Sequence, residues 1–204
     1  MARNLTPIAK QSRREGVQLH PKAVKALTRR NFIPGQHGQS RRSKPSDFSV
    51  QLREKQKVKR MYGVLEKQFR TYVAKAERMD GVAGENLLSL LERRLDNACY
   101  RLGLAPSRQA ARQMVSHAHI TLNGKRVDIP SIIVKPGDEI AVRASSKTKP
   151  LFKTVAEELT DSSTSVSWLS LNAKNMKAKV TGLPIRSEIE HEISEQLIIE
   201  FYSR

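Results

Sequence analysis

Residues 107–127 read SRQAARQMVSHAHITLNGKRV, and they predict a short helix followed by a two-stranded hairpin. Ser107 is a favourable N-cap residue, so we expect the helix to begin directly after it. The dipeptide Asn123-Gly124 supplies the positive φ angles of a type I′ turn. Ile120–Leu122 and Lys125–Val127 are therefore predicted to pair as antiparallel strands. This segment decides the fold class, because it places a helix and sheet strands next to each other.

The flanking segments extend this unit in both directions. From about Gly84 to Leu102 the apolar residues fall on one face of a single predicted helix. These residues are Leu87, Leu88, Leu91, Leu95, Ala98, Cys99 and Leu102. Cys99 is thus interpreted as a small core residue. Beyond the hairpin, Ile132–Val134 and Glu139–Val142 are predicted strands, joined by Lys135-Pro-Gly-Asp138 as a type II turn.

Two further helices are predicted before this unit. Ser46 is an expected N-cap for the first, and Gly63 is expected to end it. The second extends from about Val64 to Met79, with Leu65, Phe69, Tyr72, Val73 and Ala76 as its apolar set. On the first helix one face is expected to pack and the opposite face to be available to phosphates. The packing set is Phe48, Leu52 and Tyr62, and the opposite set is Arg53, Lys57 and Arg60.

The two ends of the chain show weaker patterns. Residues 1–45 have little periodicity, because Pro and Gly interrupt their basic clusters, and we expect them to order mainly against a partner. After the strands, a short helix is predicted around Thr154–Leu159, then a Ser/Thr-rich loop over Thr160–Ser167 and a strand at Trp168–Leu171. The apolar residues of Leu197–Tyr202 are expected to pack onto the body of the protein.

Charge is the strongest compositional signal in the 204 residues. The chain has 37 Lys and Arg against 20 Asp and Glu, for a net charge of +17. Residues 1–60 hold 16 of the basic and 3 of the acidic side chains, whereas residues 161–204 hold 5 and 6. Such an excess favours a polyanionic partner, and nucleic acid is the obvious one. The alternative is a surface that only keeps the protein in solution, and such a surface would intersperse positive and negative side chains.

Other classes are disfavoured by composition. No run approaches the roughly 18 to 20 apolar residues of a membrane-spanning helix, and residues 1–14 lack the apolar stretch of a signal peptide. The single cysteine, Cys99, excludes an internal disulfide and a four-thiolate zinc cluster. A soluble protein in a reducing compartment is expected.

The candidate contact residues cluster around the opening segment. Arg108 and Arg112 are four residues apart on one helix, so they project together and could grip successive phosphates beside the helix N-terminus. Lys125-Arg126 adds charge at the hairpin, and His117 and His119 follow the helix. The alternatives stay open: a solvated helix face for the arginines, and ordinary partly buried side chains for the histidines.

Several motifs resemble a known family. Within the unit they are Leu95-Asp-Asn-Ala-Cys-Tyr-Arg-Leu-Gly103, Ser107-Arg-Gln-Ala-Ala-Arg-Gln-Met-Val-Ser-His117, Thr121-Leu-Asn-Gly-Lys125 and Pro136-Gly-Asp138. Elsewhere they are Ser12-Arg-Arg-Glu-Gly16, Pro34-Gly-Gln-His-Gly38, Gln51-Leu-Arg-Glu-Lys-Gln56, Tyr62-Gly-Val-Leu-Glu66, Gly84-Glu-Asn86 and Ile199-Glu-Phe-Tyr-Ser203. The first set resembles the RNA-binding module named after the fourth small-subunit ribosomal protein. With the second set, the whole chain resembles the bacterial family of that protein.

The resemblance implies an α+β fold in four parts. A basic N-terminal arm (1–45) precedes a helical domain (46–93, completed by 185–204). An RNA-binding module of two helices packed on a small, mainly antiparallel sheet is inserted at 94–156. Residues 157–184 extend that module with a loop and a short strand.

The resemblance also implies a non-catalytic role and a set of partners. The family binds the 5′ domain of small-subunit rRNA early in assembly, lies where messenger RNA enters, and influences decoding accuracy. Neighbouring small-subunit proteins, especially the fifth and the third, are further expected partners; no membrane and no DNA are expected. A cytoplasmic location in the small ribosomal subunit follows. The expected rRNA contacts are Arg13, Arg14, Arg53, Lys57, Arg60, Ser107, Arg108, Arg112, His117, Lys125 and Arg126, and the messenger-facing residues are Arg41, Arg42 and Lys44.

One departure from the family concerns zinc. Many relatives hold a zinc ion through four cysteines in the arm, but no cysteine precedes Cys99 here. His20 and His37 alone are a poor metal site without thiolates. No metal and no cofactor are expected.

Two alternative functions remain at this stage. An RNA-modifying enzyme could hold the same module, but residues 143–204 are too few for a catalytic domain and contain no phosphate loop or metal cluster. A free RNA-binding regulator of translation is the other. Co-migration with free messenger RNA instead of small subunits would favour it.

Overall fold

The computed structural model describes residues 6–40, 44–159, 166–189 and 193–203. Two compact units divide the chain, one formed by residues up to 87 together with those from 193 onwards, and the other by residues from 88 to 189. In the described part of the chain, no helix is long and apolar enough to cross a membrane.

The basic arm contains helices that the sequence did not predict. Helix α1 covers Ile8–Glu15 and α2 covers Val24–Arg29, with a short 3-10 turn at Pro21–Ala23 between them. The buried residues of α1 are Gln11 and Ser12, so polar contacts hold it. These helices have no apolar stripe, which is why periodicity did not reveal them.

Helices α3 (Asp47–Met61) and α4 (Glu66–Glu77) confirm the prediction for this region. The Ser46 hydroxyl accepts a hydrogen bond from the amide of Ser49 at 3.3 Å, as an N-cap does. Gly63 has a φ of +63° after the end of α3, a conformation that favours glycine. On α4 the buried residues are Phe69, Tyr72, Val73 and Ala76, four of the five predicted.

The predicted packing face of α3 was partly wrong. Its buried residues are Gln51, Lys55, Val58 and Met61, whereas Phe48 is 50% exposed. The reason is that α3 is covered from two sides. Helix α10 (Glu195–Tyr202) packs along it and buries Ile198, and α1 packs on another side. Arg53 and Arg60, expected on the open face, bind Glu15 of α1.

Glu66, at the start of α4, is bound by three side chains. Lys59 Nζ lies 2.7 Å from Oε2, while Lys55 Nζ and the Tyr202 hydroxyl lie 3.0 and 2.6 Å from Oε1. Burial alone would raise the pKa of Glu66, but hydrogen bonds from Lys59, Tyr202 and Lys55 outweigh it and lower the pKa to about 2. These bonds join α3, α4 and α10.

Replacing Glu66 by glutamine is expected to lower the free energy of unfolding by about 1 kcal/mol at neutral pH. Because the folded pKa of about 2 lies below the ordinary value of 4.5, ionised Glu66 stabilises the fold above pH 4.5. That contribution is lost as the pH falls towards 2. The side chain is 46% exposed, so solvent screening keeps the effect small.

Urea unfolding of the wild type and Glu66→Gln, from neutral pH down to about pH 3, measures this effect. Glu77→Gln, an exposed change on the same helix, is the control. A difference between wild type and Glu66→Gln that stays constant below pH 4.5 would contradict the lowered pKa.

The prediction of a single helix from Gly84 to Leu102 is wrong, because the structure has two helices there. Helix α5 covers Ala83–Glu92 and α6 covers Leu95–Arg101, with Arg94 between them in an extended conformation (φ −65°, ψ 137°). The break comes from pairing with a distant segment. The amide of Leu95 donates to Ile132 O at 2.8 Å, and the amide of Val134 donates to Arg93 O at 2.9 Å.

The apolar stripe itself was predicted correctly. All seven of its members are fully buried, namely Leu87, Leu88, Leu91, Leu95, Ala98, Cys99 and Leu102. Cys99 lies in the core of the second unit with Phe152 and Trp168, and burial raises the pKa of its thiol. Its interpretation as a core residue is confirmed.

Helix α7 (Arg108–Ser116) leads into strands β1 (Ile120–Leu122) and β2 (Lys125–Val127), as predicted. Asn123 and Gly124 have φ values of +51° and +76°, which confirms the type I′ turn. Strand β3 (Glu139–Val142) follows the type II turn, where Gly137 has a φ of +95°. The predicted strand Ile132–Val134 was wrong, since only an isolated bridge from Ile133 to Arg94 forms there.

The remaining described residues of the second unit add two α-helices, two strands and a short 3-10 turn at Arg186–Glu188. Helices α8 (Ala144–Lys147) and α9 (Pro150–Glu158) precede β4 (Leu169–Asn172) and β5 (Lys177–Val180). The sequence did not predict β5, which joins β4 to the sheet. The sheet order is β2-β1-β3-β5-β4, antiparallel throughout. Of the expected Ser/Thr-rich loop, residues 160–165 lie outside the described residues.

Candidate nucleic-acid interface

Two buried ion pairs lie where α5, α6 and α7 meet. Arg101 donates from Nε and Nη2 to the two carboxylate oxygens of Glu92, each at 2.9 Å. Arg94 donates to both oxygens of Asp96 at 3.0 and 2.6 Å. None of these four side chains is more than 6% exposed. Removing one partner of such a buried pair strongly destabilises the folded protein, because the other charge stays buried without its partner.

Arg108 and Arg112 of α7 form an outer layer on these pairs. Arg108 Nη2 lies 3.9 Å from Glu92 Oε1, and Arg112 Nη1 lies 3.6 Å from Asp96 Oδ2. Their side chains are 14% and 20% exposed, so they reach solvent while the inner arginines do not. The structure thus brings the two predicted arginines together. We call Glu92, Arg94, Asp96, Arg101, Arg108 and Arg112 the arginine–carboxylate cluster.

The charges of the cluster do not balance. Four arginines surround two carboxylates, and each carboxylate already has a two-point partner in the inner layer. The cluster therefore has a net positive charge, and Arg108 and Arg112 are the members that partly reach solvent. It lies beside the N-terminus of α7, where the Ser107 hydroxyl accepts a hydrogen bond from the amide of Ala110 at 3.2 Å. This confirms the predicted N-cap and adds a favourable environment for an anion.

The hairpin and the end of α7 place the remaining module residues at the surface. Lys125 and Arg126 on β2 are exposed, and Arg126 lies opposite Thr121 in the sheet register. His117 is exposed directly after α7. His119 instead bonds through Nδ1 to the Ser146 hydroxyl at 2.9 Å.

Burial lowers the pKa of His119, and so do Lys149, His117 and Arg143, which lie nearby. His119 is therefore neutral at physiological pH and contributes no charge to the surface. Of the two histidines considered in the sequence, His119 has the structural role of a partly buried side chain.

The structure places the expected contact residues of the arm in different environments. Arg13 donates through Nε to Phe32 O at 3.0 Å, and its guanidinium lies 4.8 Å from the centroid of the Phe32 ring. Arg14 is exposed, as is Lys44. Arg41 and Arg42 lie outside the described residues.

The basic residues of α3 are engaged with carboxylates. Arg53 Nη1 lies 3.1 Å from Glu15 Oε1, Arg60 also binds that oxygen, and Lys57 lies 2.7 Å from Glu54. Burial raises the pKa of Glu15, against the attraction of Arg53 and Arg60, which lowers it. Part of the charge that dominates the sequence therefore holds α1 on α3.

Sequence reasoning missed the carboxylate side of the cluster. Glu92, Asp96, Asn97 and Tyr100 were not among the predicted contact residues. A signal was present: Glu92, Arg94 and Asp96 alternate in charge beside a stripe of buried leucines. Charged residues so close to a core need partners.

A metal site receives no support from the described residues, which contain no group of three or more His, Cys, Asp or Glu side chains that could hold an ion. His20 Nδ1 instead accepts a hydrogen bond from the amide of Lys22 at 3.0 Å. Burial, followed by the nearby Lys22, lowers the pKa of His20.

A small antiparallel sheet packed on short helices, with paired arginines at one helix start and an exposed basic strand, defines a nucleic-acid-binding protein of the α+β class. Comparison with known families narrows this class. The family described as ribosomal protein S4/S9 N-terminal domain matches residues 3–92, and the S4 domain matches residues 93–140.

Full-length relatives agree. The chain is 54% identical to the small ribosomal subunit protein uS4 of Clostridioides difficile, 51% to that of Pelotomaculum thermopropionicum and 48% to that of Chlorobaculum tepidum, with 100% of both sequences covered in each comparison. The chain therefore belongs to the uS4 family of small-subunit ribosomal proteins. This is a family of ribosomal structural proteins with an RNA-binding S4 domain, not of enzymes, and the resemblance seen in the motifs is confirmed.

Proposed function

We propose that this protein binds small-subunit rRNA directly and helps to nucleate assembly of its 5′ domain. The observation that carries the proposal is that the arginine–carboxylate cluster holds four arginines and two carboxylates, with Arg108 and Arg112 as its partly exposed outer members. Each carboxylate has an inner arginine as well as an outer one, so the cluster as a whole is positively charged where its outer guanidiniums reach solvent. Phosphate oxygens of an RNA backbone are the matching partner.

The contact surface that we propose in the second unit comprises Arg108, Arg112, His117, Lys125 and Arg126, together with Ser107, which is buried and caps the helix behind them. In the first unit, Arg14 is the exposed arm residue of the proposed set. The side chains of four further residues of the proposed set already bind within the protein, and they would contact RNA in addition to these internal partners. They are Arg13, Arg53, Lys57 and Arg60. Recognition would be mainly of RNA shape, since only 5% of the residues are aromatic.

The finer placement in the ribosome is also proposed. Lys44 is exposed, and it follows Arg41 and Arg42 in the sequence; this basic run would face messenger RNA where it enters the small subunit. That position would give the protein its influence on decoding accuracy. Neighbouring small-subunit proteins, especially the fifth and the third, are the proposed protein partners.

The division of the chain into four parts is also a proposal. The parts are 1–45, 46–93 with 185–204, 94–156 and 157–184.

Reversing the charge of the hairpin by Lys125→Glu with Arg126→Glu is expected to weaken rRNA binding about 10- to 100-fold. Both side chains are exposed on β2, so the fold should be unaffected. Because each lost phosphate contact removes a released counterion, the slope of log affinity against log salt should fall by about one per contact. Filter binding to a 5′-domain rRNA fragment over a salt series measures both quantities.

The matched control for the hairpin is Lys153→Glu with Lys174→Glu, which makes the same charge change at exposed positions outside the proposed surface. If both double variants reduce the slope equally, only net charge matters and the hairpin is not a contact. Sucrose-gradient fractionation tests the ribosomal role itself: the protein should sediment with small subunits. Sedimentation with free messenger RNA would instead identify a free regulator.

A further inference from the structure

We infer that Asn97 is a positioning residue of the RNA interface, which holds the guanidinium of Arg108 in the orientation that receives a phosphate. The inference rests on the proposed function and concerns how this site works. Asn97 is 1% exposed and lies on α6, behind the proposed surface, so it does not contact RNA itself.

The orientation of the Asn97 amide follows from its neighbours. Its Nδ2 lies 3.0 Å from the backbone oxygen of Glu92 and 2.8 Å from Glu92 Oε2. Both oxygens only accept hydrogen bonds, so the amide nitrogen must be on that side. Oδ1 consequently points the other way, and it accepts a hydrogen bond from Arg108 Nε at 2.7 Å. Glu92 thus orients Asn97, and Asn97 orients Arg108.

Arg108 is held on more than one side. Its guanidinium carbon lies 4.6 Å from the centroid of the Tyr100 ring, so the aromatic face supports the planar group while Asn97 binds its Nε edge. Arg108 Nη2 lies 3.9 Å from Glu92 Oε1. A guanidinium restrained in this way loses little conformational freedom when it binds an anion, because most of that freedom is already lost.

The two carboxylates of the cluster have two-point partners other than Arg108 and Arg112. Glu92 has its two-point partner in Arg101, and Asp96 has one in Arg94. A further half-buried arginine adds a desolvated positive charge next to carboxylates that are already paired. Orienting that extra charge through a buried amide is explained by an anion outside the protein. The chemical class of that anion is a phosphodiester.

The test is a double-mutant cycle on binding to the 5′-domain rRNA fragment, with Asn97→Ala, Arg108→Ala and the double variant. Asn97→Ala is expected to weaken binding about tenfold, although it removes no charge. The double variant should bind like Arg108→Ala alone, because Asn97 acts through Arg108. The salt slope of Asn97→Ala should fall by up to about one, towards that of Arg108→Ala.

A role in folding alone gives a different result. The fold losses of RNA affinity from Asn97→Ala and Arg108→Ala would then multiply in the double variant. The salt slope of Asn97→Ala would also equal that of the wild type. This result overturns the inference. If Arg108→Ala has no effect on binding, the proposed contact itself fails. These two failures are therefore distinguishable.

A second variant keeps the inference testable if Asn97→Ala does not fold. Tyr100→Leu keeps the Asn97 amide and Glu92 in place but removes the aromatic face under Arg108. It should also weaken binding, with no further loss when combined with Arg108→Ala. Thermal unfolding of every variant checks that binding is compared between folded proteins. Wild-type affinity in folded Tyr100→Leu and folded Asn97→Ala would overturn the inference.

Discussion

Replacing Glu92 by alanine is expected to destabilise the second unit by about 3–5 kcal/mol. The change leaves Arg101 buried, at 1% exposure, without its two-point carboxylate. It also removes the Oε2 acceptor of the Asn97 amide and the carboxylate behind Arg108. An uncompensated buried charge costs far more than a lost surface pair, so this is the largest stability effect that we expect from a single carboxylate.

Urea unfolding followed by the fluorescence of Trp168 measures the loss. Trp168 is the single tryptophan of the chain and is 2% exposed in the core of the second unit, so its signal reports on that unit. Glu157→Ala is the matched control, because it is an exposed change on a helix of the second unit and should cost under about 0.5 kcal/mol. Equal losses of unfolding free energy in the two variants would show that Glu92 does not stabilise the second unit more than an exposed glutamate does.

Replacing Arg108 and Arg112 together by glutamine is expected to weaken rRNA binding by a few kcal/mol, about 100-fold or more at physiological salt. The slope of log affinity against log salt should fall by about two, one for each lost contact. Glutamine is preferred to glutamate, because a new carboxylate here would repel Glu92 and Asp96. Loss of RNA binding could then not be separated from loss of the fold.

The inner arginines are the matched comparison for this prediction. Arg94→Gln with Arg101→Gln makes the same charge change but leaves Glu92 and Asp96 without their buried partners. We expect it to unfold or strongly destabilise the second unit, whereas the outer double variant should remain folded. Circular dichroism combined with filter binding separates the two effects. An outer variant that stays folded and binds rRNA like wild type would remove this pair from the interface.

Features of the fold with a local cause were predictable. The Ser46 and Ser107 caps, the Asn123-Gly124 turn and the leucine stripe depend on residues close together in the chain, and each was found where expected. The break at Arg94 was not, because the leucine periodicity continues through it and the competing hydrogen bonds come from residues 132–134. Helix α1 was missed for a related reason: it is held by polar contacts such as that of Arg13 with Phe32 O.

By itself, the sequence determined that this protein is strongly basic, that Arg108 and Arg112 share one helix face, and that its motifs belong to the uS4 family. Only the tertiary structure decided how individual arginines are used. Arg94 and Arg101 pair with buried carboxylates in two-point contacts, while Arg108 and Arg112 contact the same carboxylates from the outside and partly reach solvent. The physical reason is that all four side chains are chemically identical. Their roles depend on desolvation and on carboxylates that only the packing of α5, α6 and α7 brings within reach.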